Sequence, residues 1–367
     1  MSLKSKIKFL AYYLPQFHQI PENDEWWGEG FTEWTNVKKA KPLFKGHQQP
    51  IVPGELGYYD LLKTEGIQEK QAKLAKDHGI DGFIYYQYWF GNGKMLLEKP
   101  AEKMLANKNV DLPFCFCWAN ETWSGIWHGL TDKILAKQTY PGEEDEERHF
   151  AYLLPFFQDE RYIKIDEKPL FIIYDIKVPD LKNFILRLRK RAAVAGFKGI
   201  YLMASNKCED DLDYLEMGFD GKISHAFNTQ YKRVVPYLSN RFWTKVRNKI
   251  SLIFGNEYTP ILKFDYKKFS EKISYTKLSV ETFPIVVPNW DNTARCGKNG
   301  IILTNSTPIF FENEISKAVS FLEDTDQTNR IIVVKSWNEW AEGNFLEPNN
   351  IHNTGYLKAI KKYSDRI

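Results

Sequence analysis

Eight short apolar runs, rich in β-branched and aromatic residues, recur along this chain with helix-patterned segments between them. They occupy 7–13, 80–88, 113–118, 169–174, 199–204, 221–224, 283–288 and 331–337. Their hydrophobicity is continuous rather than alternating, as it must be in parallel strands covered on both faces. The helical segments fall near 60–78, 95–108, 144–157, 180–195, 208–217, 266–280, 310–324 and 352–364. Strand then helix, eight times over, predicts an α/β fold of the (β/α)8 TIM-barrel type rather than a doubly wound sheet. The weakest strand signal is 221–224. The 367 residues fit one barrel, and no repeat or low-complexity linker divides them, so 1–367 is read as a single domain.

Two long βα loops interrupt the pattern. Residues 14–59 carry Trp26, Trp27, Trp34, Tyr58 and Tyr59 among Gly and Pro, and loops this long in a compact domain are usually functional. Residues 226–265 hold Lys232, Arg233, Arg241, Lys245, Arg247 and Lys249, with Phe242, Trp243, Val246, Ile250 and Ile253 at nearly helical spacing. This segment reads either as a lid helix on the barrel or as a basic surface for an anionic glycan, a lipid pyrophosphate or a membrane face.

Composition closes several routes. With 50 basic and 47 acidic residues, the chain has no overall field that would draw nucleic acid. No stretch approaches 18 apolar residues, so no membrane span is expected. A strand beginning near Ile7 leaves no room for a signal peptide, which predicts a cytoplasmic protein, or a periplasmic or secreted one if a leader has been removed. Cys115, Cys117, Cys208 and Cys296 form neither a disulfide framework nor a zinc set, and free thiols suit a reducing compartment. No Gly-rich dinucleotide motif, Walker loop or HxxxH spacing is present, so no cofactor and no metal are expected. His18, His47, His128 and His225 are scattered, and each reads more simply as a hydrogen-bonded loop residue than as a ligand. Ser336 lacks the context of an elbow nucleophile.

In such barrels chemistry gathers where the strands end in βα loops. In chain order the ends offer Tyr12, Tyr13, Gln16 and His18, then Tyr86, Tyr88 and Trp89, then Trp118, Asn120 and Glu121. Tyr174 and Asp175 follow, then Ser205 and Asn206, and then His225 and Asn228. Asn289, Trp290 and Asp291 come next, and Trp337, Asn338 and Glu339 end the series. The opposite ends, such as Lys6, Asp111 and Lys168, look like ordinary solvent-facing starts. Aromatic faces stack on the C–H face of a sugar, amides read hydroxyls, and carboxylates move protons or stabilise an oxocarbenium ion, so this end reads as a carbohydrate mouth. The plainer alternative, a structural strand end with solvated acids, leaves both Trp and both Glu of 337–342 to be explained one by one.

Glu339 and Glu342 can both face the mouth if the chain turns sharply after Glu339. Glu121, Asp175 and Asp291 compete with them, Asp175 and Asp291 as the strand-four and strand-seven acids common in barrel glycosidases, and all three otherwise read as hydroxyl-binding groups. Carboxyl groups about 5–5.5 Å apart would retain anomeric configuration, and groups about 6.5–9.5 Å apart would invert it.

At these residues the chain resembles a known group. Tyr12-Tyr13-Leu14-Pro15-Gln16-Phe17-His18, Gly30-Phe31-Thr32-Glu33-Trp34, Gly54-Glu55-Leu56-Gly57-Tyr58-Tyr59-Asp60 and Trp118-Ala119-Asn120-Glu121 look like the WbsX-like proteins of bacterial surface-polysaccharide clusters. These are relatives of glycoside hydrolase family 99, the endo-α-mannosidases. Asn338-Glu339-Trp340-Ala341-Glu342-Gly343, with Glu347 following, matches that family's Asn-Glu-Trp-x-Glu-Gly element. The likeness to the WbsX-like group runs from about residue 9 to 350, and that to family 99 is specific around the last strand. It implies a (β/α)8 barrel that cleaves a surface polysaccharide with retention and without a conventional nucleophile. Glu339 would deprotonate the sugar's own 2-hydroxyl, which attacks the anomeric carbon, and Glu342 would protonate the leaving oxygen and then activate water. The chain departs from the pattern at Gln87, where His is expected, and lacks the loops that select mannose. Group members also carry the label glycosyltransferase. That reading, in O-antigen or capsule biosynthesis, is the alternative, and a non-catalytic glycan-binding barrel is a second one.

Overall fold

The computed structural model of the protein describes residues 6–124, 134–205, 212–224 and 261–365, together with 246, 249, 250 and 253. Among the described residues, nine parallel strands form the barrel wall: β1 (Lys8–Tyr13), β2 (Gly82–Gly91), β3 (Phe114–Trp118), β4 (Lys168–Ile173), β5 (Tyr201–Ala204), β6 (Gly221–Ile223), β7 (Glu281–Phe283), β8 (Ile285–Val286) and β9 (Ile331–Val334). Their order is β7-β6-β5-β4-β3-β2-β1-β9-β8. β7 pairs with β6 while β8, one residue further on, pairs with β9, so the expected seventh strand is one segment that changes neighbours at Pro284 and closes the ring. Proline has no N–H to give to a ladder, which makes it a natural residue for this break. Ser224 bridges the gap: its N–H donates to the Phe283 carbonyl (2.8 Å) and its hydroxyl accepts the Ile285 N–H (3.1 Å). All eight predicted runs are therefore barrel strands, the short sixth included.

The outer helices are α1 (Ile67–Asp77), α2 (Lys99–Ala106), α3 (Glu143–Gln158), α4 (Leu181–Val194), α5 (Tyr214–Met217), α6 (Tyr266–Lys272), α7 (Pro308–Glu323) and α8 (Gly355–Ser364). α7 carries Pro at its start, where a missing N–H does no harm, and buries Phe311, Ile315, Ala318, Val319 and Leu322 at helical spacing.

Strand parity decides which side chains reach the interior, because successive residues point to opposite faces. Tyr12, Tyr86 and Cys117 lie inside: Tyr12 stacks on Tyr86 (5.0 Å between ring centres), and the Cys117 thiol lies beside the Tyr12 phenol. Their neighbours point to the helices. Tyr13 donates its hydroxyl to Gln71 of α1 (2.8 Å), and Phe116 packs edge-on against Phe156 of α3. No helix among the described residues is long and apolar enough to cross a membrane.

Candidate active site

After β9 the chain turns back on itself. Asn338–Glu339 pairs antiparallel with Asn344–Phe345, and a 3-10 turn, Trp340–Glu342, joins them. Gly343 makes the return possible: its φ is +56°, and a Cβ there would lie 2.7 Å from the Asp291 carbonyl. The close approach lets the Asp291 N–H donate to the Glu342 carbonyl (2.8 Å), docking the turn on the loop after β8. The Ser336 hydroxyl accepts the N–H groups of Asn338 (3.1 Å) and Glu339 (2.8 Å), fixing the start of the turn. Glu339 and Glu342 come together as the sharp turn requires.

Each acid has its own cation. Lys335 Nζ lies 3.3 Å from Glu339 Oε2, between the rings of Tyr12 and Trp290 (5.9 and 5.8 Å from their centres). Arg295 Nη1 donates to Glu342 Oε1 (2.7 Å), and its Nη2 donates to the buried Glu33. Burial pushes the Glu339 carboxyl up to about 7, with Lys335 pulling down and the charge of Glu342 pushing up. Burial works against the charge on Arg295, but Glu33, Glu342 and Glu339 outweigh it and hold the guanidinium firmly ionised. The aromatic wall consists of Tyr86, Tyr88 and Tyr174, whose phenols are raised by burial first and by the charge of Glu339 second. Trp123 packs edge-on to Tyr88 (4.9 Å), and Trp26 from the long first loop packs on Trp123 (6.1 Å).

Several residues expected at the mouth are elsewhere. Tyr13, Trp89 and Trp118 have the outward parity. Trp89 stacks on His149 of α3 (4.7 Å) and donates to Asp145 (3.0 Å), while Trp118 donates to the Trp89 carbonyl (2.9 Å). Both indoles line a separate cavity of about 320 Å³ between α3 and α4. His149 holds Gln87, the departure from the family pattern, at 3.1 Å. Trp34 is buried and donates to the Tyr59 carbonyl (2.6 Å). His18 is buried against the Pro15 carbonyl and lines a cavity of about 230 Å³ with Asp24 and Asp60. Gln16 is half-buried, and its carbonyl accepts the Glu33 N–H.

Trp337, Asn338 and Glu347 are buried and tied into the core. Glu347 accepts from Trp337, Trp340, Gln71 and Tyr59 at 2.6–3.1 Å, and Asn338 ties Leu14 to the Tyr59 hydroxyl. Burial pushes the Glu347 carboxyl up to about 7, and its four donors pull it down.

The competing acids are also placed. Asp291 accepts from His47 (2.8 Å), Gln49 (2.8 Å), and the N–H and hydroxyl of Thr293, so both oxygens are taken by protein donors. Burial pushes its carboxyl up, but these donors outweigh it and hold it below the usual range. His47 accepts the Leu43 N–H through Nδ1, which leaves its Nε2–H to donate to Asp291. The Asn120 side chain clasps the backbone of Asp175 at both N–H and carbonyl, and Asp175 in turn accepts the Lys177 N–H. Glu121 is half-buried just beyond β3.

Sequence reasoning missed Lys335, Arg295 and Glu33 as site residues. Lys335 could have been found, since a lysine closing an apolar strand four residues before Glu339 is out of place unless paired. Asn206, His225, Asn228 and most of the basic segment, Arg241, Lys245 and Arg247 included, lie outside the described residues. Val246, Ile250 and Ile253 within it are helical, as their spacing predicts.

A parallel barrel with helices outside and a paired-carboxylate turn at the carboxyl ends of its strands is a (β/α)8 TIM-barrel architecture. A solved "Glycoside hydrolase-like protein" superposes with TM-score 0.62 at 14% identity, over 99% of this chain and 95% of that one. A GH99 endo-alpha-mannosidase from Bacteroides thetaiotaomicron superposes with TM-score 0.55 at 15% identity, over 98% and 96%. The chain belongs to the family described as "Glycosyltransferase WbsX", whose model matches residues 9–360. It is 33% identical over 356 residues to WxcX of Xanthomonas campestris pv. campestris, described as an uncharacterized protein, covering 96% of this chain. The chain spans about half (49%) of the length of that relative.

Proposed function

We propose that the protein is a carbohydrate-active enzyme, and specifically a glycoside hydrolase acting on a bacterial surface polysaccharide or oligosaccharide. The observation that carries this reading is the Glu339–Glu342 turn, with each acid paired to its own cation beside a tyrosine wall. Glu339 takes the proton of the sugar 2-hydroxyl, whose oxygen bonds to the anomeric carbon as the glycosidic bond breaks. Glu342 gives a proton to the leaving oxygen, then draws one from the water that opens the anhydro-sugar, and the 2-oxygen takes its proton back from Glu339. Retention follows from two inversions. A carboxyl near 7 is well matched to a base that works at neutral pH. Tyr88, Tyr174 and Trp290 supply the faces and hydroxyls that orient the ring.

The test is incubation with the polysaccharide made by the same gene cluster. Shortened chains are expected from the wild type and not from Glu342→Gln. A glycosyltransferase is the second reading, favoured by the family's description. It requires a nucleotide- or lipid-linked donor, for which 226–265 offers the basic side chains. Thermal stabilisation by a nucleotide sugar at micromolar concentration would favour it over hydrolysis. Loss of turnover with Arg241, Lys245 and Arg247 all changed to Gln, and activity that falls steeply with salt, would do the same, because exposed charges are screened over about 8–10 Å. The hydrolase reading expects none of these.

A further inference from the structure

Five ionisable side chains meet where the last strand ends. Glu33, Glu339 and Glu342 are acids, and Lys335 and Arg295 are cations, so the fully ionised cluster carries one surplus negative charge. Arg295 joins its two halves, with Nη1 on Glu342 and Nη2 on Glu33. Glu33 is 1% exposed, the first residue of the helix Glu33–Lys39, and its N–H is anchored on the Gln16 carbonyl (3.1 Å). A helix start gains from an acid in water and does not require burying one. A buried carboxylate persists where a well-placed cation compensates it.

We propose that Glu33 is a positioning residue of the site: by holding the second nitrogen of Arg295 it divides that cation between two carboxylates and leaves Glu342 able to take up and return a proton. The inference rests on the reading of Glu342 as a proton carrier. An adjacent cation makes a carboxyl about 10–1000-fold more acidic, and an undivided Arg295 would keep Glu342 ionised through the step in which it must hold a proton. Sharing weakens that hold, and the charge of Glu33 opposes ionisation of its neighbour in the same direction. The other groups facing the pair come from every side. Lys335 serves Glu339. The phenols of Tyr86, Tyr88 and Tyr174 and the Cys296 thiol are all raised by burial. Asp291, beside the turn, is held ionised by His47, Thr293 and Gln49.

The experiment follows carboxyl carbons by NMR in protein labelled at the Glu side-chain carboxyl, with Glu342 assigned by the resonance lost in Glu342→Gln. In Glu33→Gln, whose amide oxygen still accepts from Nη2, the Glu342 midpoint should fall by about one pH unit, a tenfold change in acidity. Glu33→Asp, which keeps the charge but withdraws from the guanidinium, should give a smaller fall in the same direction and serves if Glu33→Gln does not fold. A midpoint unchanged in either folded variant overturns the proposal. The readout is independent of turnover. A midpoint that moves in a protein cleaving no polysaccharide upholds the inference and removes the hydrolase reading, and an unmoved one in an active hydrolase does the reverse.

Discussion

Glu339 and Glu342 stand three residues apart, yet their surroundings ask different things of them. Glu339 lies in the barrel with Lys335 at 3.3 Å and a carboxyl raised to about 7, whereas Glu342 is tied to a guanidinium that a second acid shares. If Glu339 is the base, it works ionised. The kcat/KM profile should then rise with pH through about 7 on its acid side, and Glu339→Gln should abolish that limb together with activity. A profile that instead falls above about 7 would make Glu339 the proton donor. For Glu342→Gln the expected loss is about 10²–10⁴-fold on natural substrates and far less on one whose leaving group needs no proton. Equal losses on both substrates would count against its role as the acid. These two acids were legible because they share a short motif with Trp337 and Asn338. Lys335 stands in the same run and could have been read with them, but the Arg295–Glu33 pair could not, since these residues lie 262 positions apart and meet only in the folded chain.

At the scale of elements, what the sequence revealed and what it hid have one cause. Strands covered on both faces read as unbroken apolar runs, which is why all eight were found. The same covering erases the alternation that would show which residues point inward. Tyr86, Tyr88 and Trp89 are therefore equivalent on paper, and only the structure sends Tyr86 and Tyr88 to the site and Trp89 to His149 of α3. Trp118 and Trp89 should behave as core. Trp118→Ala should destabilise the fold by about 3–5 kcal/mol, read as a drop in Tm. Tyr88→Phe should leave Tm nearly unchanged and raise KM. A Trp118→Ala protein with wild-type Tm and weakened glycan binding would restore that indole to the mouth.

For the molecule as a whole, the ring is closed around Pro284, and one buried acid reports on that closure. Glu314 of α7 accepts the Val287 N–H just past β8 (2.9 Å), and burial pushes its carboxyl up to about 8. The folded chain thus keeps a proton that the unfolded chain releases near its ordinary value of 4.5. Stability from this group is fully present below pH 4.5 and is lost as pH rises toward 8, at about 1.4 kcal/mol for each pH unit crossed. Glu314→Gln, which cannot ionise, should gain in Tm over the wild type as pH climbs from about 5 to 8. A constant difference across that range would mean that Glu314 does not titrate there.

The change of neighbours at Pro284 has a mechanical consequence. Elsewhere the ladders on a wall strand's two edges overlap in residues, but here Glu281–Phe283 pair on one side and Ile285–Val286 on the other, with no residue in common. A cylinder built this way has a clasp, and transient opening should start there, because no residue of the segment is laddered along both edges and local unfolding favours weakly tied stretches. In hydrogen–deuterium exchange the amides of Ile285 and Val333 should exchange well ahead of those in the β2–β3 wall across the barrel. The turn that carries Glu339 and Glu342 is mounted directly on the strand beside the clasp, so each such breath would carry both acids with it.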